Sequence, residues 1–305
     1  MVFTNDNIKQ LLAGGISGCC AKFCIAPLDR TKILLQAQHP NYRQYGVFQC
    51  VYEIAKKEGT TSLWKGTTMM MVRVFPYSAI QFFAFEKSKV FYSKAFGERR
   101  FNNFYAGSTA GVSAALCTYP LDLLRARLAY QIRGDKNDKG VAAAFKTIYH
   151  SEGGFRGFYK GISPTIIGMV PYAGVSFYTF NTLKETLLAI FPGSLARRDA
   201  NDTLVLKTWV NLLTGGFAGA LSQTVSFPMD VARRRMQLAH VLKNPEAYKS
   251  CWSTLKYVYQ KEGVYGGLFR GLSINYLRVV PQQAIAYTTY EYAREQLGLI
   301  KKPKH

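Results

Sequence analysis

The chain alternates between six long stretches that are almost free of charge and connecting segments that are dense in it. Three of the stretches contain no Asp, Glu, Lys or Arg: Phe101 to Leu121 (21 residues), Gly161 to Leu183 (23) and Thr208 to Met229 (22). Three more contain a single cation each, Lys22 within Gln10 to Leu28, Arg73 within Gly66 to Phe85 and Arg278 within Gly271 to Tyr290. A helix rises about 1.5 Å per residue, so roughly 20 residues cross the hydrocarbon core of a bilayer. The pattern therefore predicts six membrane-crossing helices. Buried core helices of a globular protein are the alternative, but such helices seldom keep this length six times over.

Charge sharpens the picture. The 305 residues carry a formal net charge of +21 with 48% hydrophobic and 14% aromatic residues. That apolar content excludes a disordered basic tail, and the charge calls for anionic partners. The three long connections, Asp29–Lys65, Asp122–Lys160 and Asp230–Arg270, hold 22 Lys+Arg against 10 acids, while Glu86–Arg100 and Lys184–Lys207 hold 9 against 5. The positive-inside bias places the three long connections on the interior face and both termini on the other. A soluble nucleic-acid-binding protein is the rival class for so basic a chain; it predicts basic residues on one face and release by salt rather than by detergent. An enzyme fits poorly. The four histidines lie outside the six stretches, and no nucleophile elbow, phosphate-binding loop or metal-ligand spacing occurs, so no metal and no cofactor are expected. The six cysteines show no zinc pairing and read as small packing residues. Met1 to Asn7 is neither an Arg-rich presequence nor a secretory signal, and internal targeting is expected.

The chain is also written three times. Pro27-Leu28-Asp29-Arg30-Thr31-Lys32, Pro120-Leu121-Asp122-Leu123-Leu124-Arg125 and Pro228-Met229-Asp230-Val231-Ala232-Arg233 share Pro-x-Asp-x-x-Lys/Arg at separations of 93 and 108 residues. Each is followed by a second motif: Glu58-Gly59 leading to Trp64-Lys65-Gly66, Glu152-Gly153 to Tyr159-Lys160-Gly161, and Glu262-Gly263 to Phe269-Arg270-Gly271. Proline kinks each odd helix, so the three helices converge at one end, where acid and base can pair between neighbours. An intrahelical pair at i,i+3 is the alternative. The small pairs Gly14/Gly18, Gly107/Gly111 and Gly215/Gly219 predict close backbone approach. The three lone cations are functional candidates, because a charge at mid-membrane costs at least roughly 2.5–3.5 kcal/mol. With no acid in any of the six windows they read as unpaired, a site for a polyanion to which arginine offers bidentate geometry.

Three triplets in phase, each with its Glu-Gly and aromatic-base-Gly partner, resemble the mitochondrial carrier family over residues 8 to 297. The resemblance implies an all-α membrane protein of six transmembrane helices, arranged as three pseudo-symmetric two-helix repeats with short matrix-side helices. The repeats are read as 8–92, 101–189 and 207–297. It implies a monomer in the mitochondrial inner membrane, both termini toward the intermembrane space, working by alternating access with cardiolipin as lipid partner. Carried over residue by residue, it pairs Asp29 with Arg125, Asp122 with Arg233 and Asp230 with Lys32 as a matrix gate. Gln36 and Gln237 would brace that gate, whereas Ala129 stands at the brace position of the second repeat. A cytosolic gate would join Glu86 to Lys184, Glu291 to Lys89 and Asn181 to Arg294; asparagine cannot ionise, so this gate is expected to be the weaker one. Gly66, Gly161 and Gly271 are the implied lipid-binding positions.

The substrate-binding set is Lys22, Arg73 and Arg278, together with Gly168, Met169 and Tyr172 in the matching slot of the fourth helix. In the family, arginine, a glycine–aliphatic pair and arginine at these points resemble carriers of adenine nucleotides; taken alone, the Gly-Met pair is an ordinary packing feature. Met236-Gln237-Leu238 after the three arginines departs from the ADP/ATP exchangers. The stretches from Ala26, Arg73 and Val170 resemble the coenzyme A carriers, which implies exchange of coenzyme A or adenosine 3′,5′-diphosphate. A carrier of another nucleotide such as ADP or ATP is the alternative.

Overall fold

The computed structural model describes residues 5–97, 102–132, 140–191, 196–198, 204–242 and 244–298. Residues 1–4 and the charges read in residues 98–100, 133–139, 199–203, 243 and 299–305 lie outside them. Six long helices alternate with three short ones. The long helices are α1 (Asn5–Gln36), α3 (Thr67–Phe96), α4 (Asn102–Tyr130), α6 (Ile162–Ile190), α7 (Thr208–Gln237) and α9 (Leu272–Gln296). The short ones are α2 (Val47–Glu58), α5 (Gly140–Ser151) and α8 (Cys251–Gly263), each following an odd-numbered stretch of its repeat. Every long helix has one proline in its interior: Pro27, Pro76, Pro120, Pro171, Pro228 and Pro281. Proline removes one rung of the hydrogen-bond ladder, which bends rather than ends a helix held by its neighbours.

Between Ala196–Arg198 (β1) and Leu204–Leu206 (β2) the chain forms a two-stranded antiparallel ribbon, with Ala196 opposite Leu206. The architecture is all-helical as expected, and this short ribbon in the connection between α6 and α7 is a local departure from it. The intervening sequence is rich in Asp and Asn, which favour chain reversal over helix. A second departure concerns hydropathy: among the described residues no helix is long and apolar enough to cross a membrane. Length is not the shortfall, since the six helices run 25 to 32 residues. The glycines, hydroxyls and charged residues of their inner faces lower the mean.

The helices pack chiefly α3 on α4, α6 on α7 and α9 on α1, so each repeat joins the next through an even–odd pair. The apolar core collects at one end. Leu34, Leu35, Tyr42, Cys50, Ile54, Leu63 and Ile274 form one cluster there, Tyr119, Leu123, Leu124, Leu128, Ala144, Ile148 and Phe158 a second, and Ala232, Met236, Ala239, Tyr248 and Cys251 a third. Each mates the end of an odd helix with its short helix. In α2 the spacing is visible: Cys50, Ile54 and Glu58 fall at i, i+4 and i+8 and are buried, while Phe48 and Tyr52 face outward. A serine capping box at Ser250 and Ser253 starts α8. Fully burying a Leu or Ile contributes about 1.5–3 kcal/mol, so this end is the rigid one.

Gly66, Gly161 and Gly271 stand immediately before α3, α6 and α9 with φ of 82°, 85° and 88°. The left-handed conformation favours glycine, and space requires it at two of the three. A Cβ at Gly66 would lie 2.9 Å from the Arg125 carbonyl oxygen, and one at Gly161 would lie 3.0 Å from that of Arg233. The expected small pairs behave differently. No neighbour lies within 4 Å of a Cβ at Gly14, Gly107, Gly111 or Gly219, and only Gly18 touches the next helix closely, at 3.5 Å from Val74. Four of the six glycines therefore mediate no close approach in this conformation, whereas Gly18 and, at 3.9 Å from Phe180, Gly215 meet a neighbouring side chain.

Candidate functional site

Below each proline, the convergence of α1, α4 and α7 brings the triplet acids onto bases of neighbouring helices. Arg125 meets Asp29 at 2.6 Å, Arg233 meets Asp122, and Lys32 stands 3.7 Å from Asp230. The three stations are unequal. The side chains of Asp29 and Asp122 are 4% and 2% exposed, and that of Asp230 is 35% exposed.

Two of the cations read as unpaired are paired. Arg278 Nη1 lies 2.6 Å from Asp29, and Arg73 Nη1 lies 3.1 Å from Asp122. The acids begin one residue past the uncharged windows, and an arginine one turn inside its own helix is long enough to reach them. Arg73 also donates to Thr118 Oγ1 and lies 5.1 Å from the Tyr77 ring. Lys22 has no carboxylate within ion-pair distance among the described residues. Arg234, not foreseen as part of the site, approaches Asp122 at 3.8 Å. Seven cations (Lys22, Lys32, Arg73, Arg125, Arg233, Arg234, Arg278) thus surround three carboxylates. The third slot, with Gly168 in place of an arginine, sends nothing to Asp230; a Cβ there would meet Met229 at 3.0 Å. Met169 is half-buried and Tyr172 is 43% exposed one turn further along α6.

Of the two expected braces, Gln237 donates to Asp122 Oδ2 and Tyr119 Oη, both at 3.2 Å, and accepts from Arg234. Gln36 does not brace its station, and neither amide atom has a partner among the described residues although both are buried. The reason lies across the interface: the residue preceding the α7 proline is Phe227, without the hydroxyl that Tyr119 supplies to Gln237. Lys32 instead lies 5.7 Å from the Phe227 ring. Ala129 has no side chain to offer, and its carbonyl accepts from Arg30 Nε at 3.1 Å.

That last contact belongs to a second ring which the sequence reading missed. Arg30 pairs with Glu58 at 2.8 Å, Arg127 with Glu152 at 2.6 Å and Arg235 with Glu262 at 2.6 Å. Each arginine Nε also donates to the last-turn carbonyl of the next odd helix, of Ala129, Gln237 and Gln36 respectively. One guanidinium therefore ties its own Glu-Gly segment to the neighbouring repeat. In repeats two and three the arginine falls five residues after the triplet acid. Repeat one has Leu34 there, and Arg30, one turn earlier, takes the place. The signal available was the recurring Glu-Gly acid without an assigned partner. Burial alone would raise the Glu152 carboxyl, but the Arg127 hydrogen bond and the Arg127 and Lys160 charges outweigh it and hold its pKa below the usual range.

At the opposite end the residues expected to close are apart. Among the described residues no ion pair joins Glu86 to Lys184 or Glu291 to Lys89, Asn181 is exposed, and Arg294 lies over its neighbour Tyr290 at 5.6 Å. Since Arg73, Arg278 and Asp230 keep 22%, 21% and 35% exposure, the interior is reached by solvent from this end. Outside the ring, the start of α6 at Gly161 opens on a cavity of about 490 Å³, lined by Arg156, Lys160, Lys249 and Glu246 with Tyr159, His240 and Tyr248. Glu246 pairs with Lys249, which leaves Arg156 and Lys160 beside a helix N-terminus, a setting that suits an anionic group.

The family model "mitochondrial carrier protein" matches residues 4–96, 98–190 and 205–300. The solute carrier family 25 member 16 of Bos taurus, the Graves disease carrier protein, is 53% identical over 94% of this chain and 88% of its own. The Homo sapiens form is 52% identical over the same shares. The mitochondrial carrier protein CoAc1 of Zea mays is 35% identical over 95% of this chain and 87% of its own.

Proposed function

The chain belongs to the mitochondrial carrier family, a family of small-molecule transporters rather than enzymes, and from that premise we propose that it exchanges coenzyme A or adenosine 3′,5′-diphosphate across the mitochondrial inner membrane by alternating access. The observation that carries the reading is the charge at the base of the interior. Seven cations against three carboxylates leave an excess of four, and the two phosphate monoesters of adenosine 3′,5′-diphosphate, or the phosphate monoester and diphosphate of coenzyme A, bring up to four negative charges. The printed name of the Zea mays relative, CoAc1, agrees with coenzyme A as cargo. Gly168 leaves open the one slot without an arginine, where a base could lie against Met169 with Tyr172 beside it.

The gating follows from the same contacts. Phosphate oxygens compete with Asp122 and Asp29 for Arg73 and Arg278, so a bound solute draws guanidinium groups off the closed matrix gate and loosens it from within. An apolar girdle supports six spans despite the low mean hydropathy: Phe83, Phe91, Val170, Tyr178, Leu212, Phe217 and Val280 are all more than half exposed on the long helices. In this orientation the short helices face the matrix, both termini face the intermembrane space, and the basic short-helix end meets anionic lipid. The cavity at Gly161, together with the matching helix starts at Gly66 and Gly271, would receive cardiolipin around a monomer.

Liposomes reconstituted with the protein and preloaded with coenzyme A, adenosine 3′,5′-diphosphate or ADP test the assignment. Coenzyme A or the bisphosphate should support uptake of the labelled partner better than ADP does. Robust exchange of some other solute without coenzyme A or bisphosphate exchange removes the assignment. Arg278→Ala should lower exchange about 30-fold or more. The fold should survive, because Asp29 keeps Arg125.

A further inference from the structure

The interior is threefold in its backbone and not in its chemistry, and the odd third has the groups to read a base. Seven residues before the gate acid, the inner position is Lys22 in the first repeat, Ala115 in the second and Gln223 in the third. Gln223 Nε2 donates to Asp230 Oδ2 at 3.1 Å. Its Oε1 has no donor among the described residues. Asp230 is the one gate acid that keeps substantial exposure, because Gly168 occupies the slot from which Arg73 and Arg278 reach the other two. Gly168 also lies against the residue next to that acid: its missing Cβ would stand 3.0 Å from Met229 Cβ. Gly168 thus packs α6 closely on α7 beside that acid, and α6 carries no arginine to reach the amide of Gln223 or the carboxylate of Asp230. The other two carboxylates at this level, Asp29 and Asp122, are each engaged by two or more guanidinium groups.

We propose that Gln223, with Asp230 beside it, reads the hydrogen-bonding edge of the adenine, and so selects the base of the solute while the arginines hold its phosphates. The inference rests on the function proposed above. Adenine carries an amino donor next to ring-nitrogen acceptors. Guanidinium and ammonium groups only donate, so six of the surrounding cations and the seventh alike offer the amino group nothing. A glutamine amide presents an acceptor and a donor at the matching spacing, the same bidentate fit that glutamine makes with adenine in nucleic acids. Asp230 accepts one Nε2 hydrogen of Gln223 and so fixes which end of the amide is left to face the amino group. Segregating the two tasks has a physical basis: the base sits where positive charge is lowest, and the phosphates sit where it is highest.

The test compares adenosine 3′,5′-diphosphate with inosine 3′,5′-diphosphate, whose oxo group replaces the amino group, in proteoliposomes of the wild type, Gln223→Ala and Gln223→Glu. Wild-type KM should favour the adenosine compound by about tenfold. Gln223→Ala should bring that preference close to one. If Gln223 only steadies Asp230 for Lys32, Gln223→Ala slows both compounds alike and keeps the preference, and the proposal is overturned. Equal wild-type handling of the two compounds overturns it as well while leaving bisphosphate transport in place. Absence of any bisphosphate or coenzyme A exchange removes the function proposed above and this inference together.

Discussion

Acid and base spaced three residues apart recur at both ends of the helix bundle, yet they stand in different physical conditions. At the short-helix end, Asp29 and Asp122 are buried, each touches two or more guanidinium groups, and a second ring of arginines lies immediately below. At the other end, Glu86, Lys89, Lys184, Glu291 and Arg294 lack cross-helix ion pairs among the described residues. The residue types do not make the difference. Burial does, because the short helices cap one end with apolar clusters and leave the other without a lid. A pair made in a dry setting is costly to break by removing one partner, whereas exposed charges contribute little. Such a molecule has one strong closure and one that can form only if the helices swing together.

The lower ring is where that contrast is greatest. Arg30 and Glu58 are both 1% exposed, and Arg30 also donates to the carbonyls of Ser62, Ala129 and Gln131. Arg30→Ala should destabilise the folded protein by about 3–5 kcal/mol, because a buried carboxylate loses the Arg30 charge while keeping the Tyr42 hydroxyl, and three carbonyls lose a donor. Arg294→Ala at the far end should change stability by no more than about 0.5 kcal/mol. Thermal midpoints in one detergent compare them directly. Equal midpoints for the two variants would erase the distinction between the ends.

How far these contacts were legible depends on whether a position repeats. The matrix-end partners of Asp29, Asp122 and Asp230 followed from three triplets in phase together with the family resemblance, because a helix end reached three times over can pair in only a few ways. Arg30 was not legible: repeat one places Leu34 where the other repeats place an arginine, and only three-dimensional proximity shows that a residue one turn earlier reaches Glu58. The pairing of Arg73 and Arg278 escaped because a window of uncharged residues says nothing about an acid one residue beyond its end on another helix. Gln36 fits its motif but lacks a bond, since the deciding atom is the hydroxyl that Phe227 does not have. The ribbon at Ala196–Arg198 and Leu204–Leu206 lay in a connection informative only for its charge.

Acidity offers a finer probe of the same contrast. Glu152 has a folded-state pKa below that of the free side chain, held there by Arg127 and Lys160 against the opposing effect of burial. The stabilisation is therefore complete above the unfolded pKa, about 4.3, and is lost as pH falls through the lower folded value. The thermal midpoint should drop over that acid range in the wild type. The drop should be shallower in Glu152→Gln, which has no carboxyl to titrate there. Parallel acid limbs in the two proteins would mean that this ring contributes nothing pH-dependent to stability.

The smallest expected effect lies at the open end, where Asn181 occupies a position that carries an acid in the other two repeats. On the proposed gating, two ion pairs and one neutral contact would close this end less firmly than three ion pairs, leaving the interior facing the cytosol for more of the cycle. Asn181→Asp adds a third pair with Arg294. An exposed or partly exposed pair contributes at most about 1 kcal/mol, so the balance between inward-open and outward-open forms should shift by about fivefold toward the form closed on the cytosolic side. A single cysteine introduced on the inner face, in a background lacking the native ones, reports the shift as slower modification by a membrane-impermeant thiol reagent from the cytosolic side. Exchange slows as well if opening on that side limits the cycle. Unchanged modification and unchanged exchange would show that the third contact carries no part of the closure, and the two ends would then differ in burial alone rather than also in the number of charges each brings to its gate.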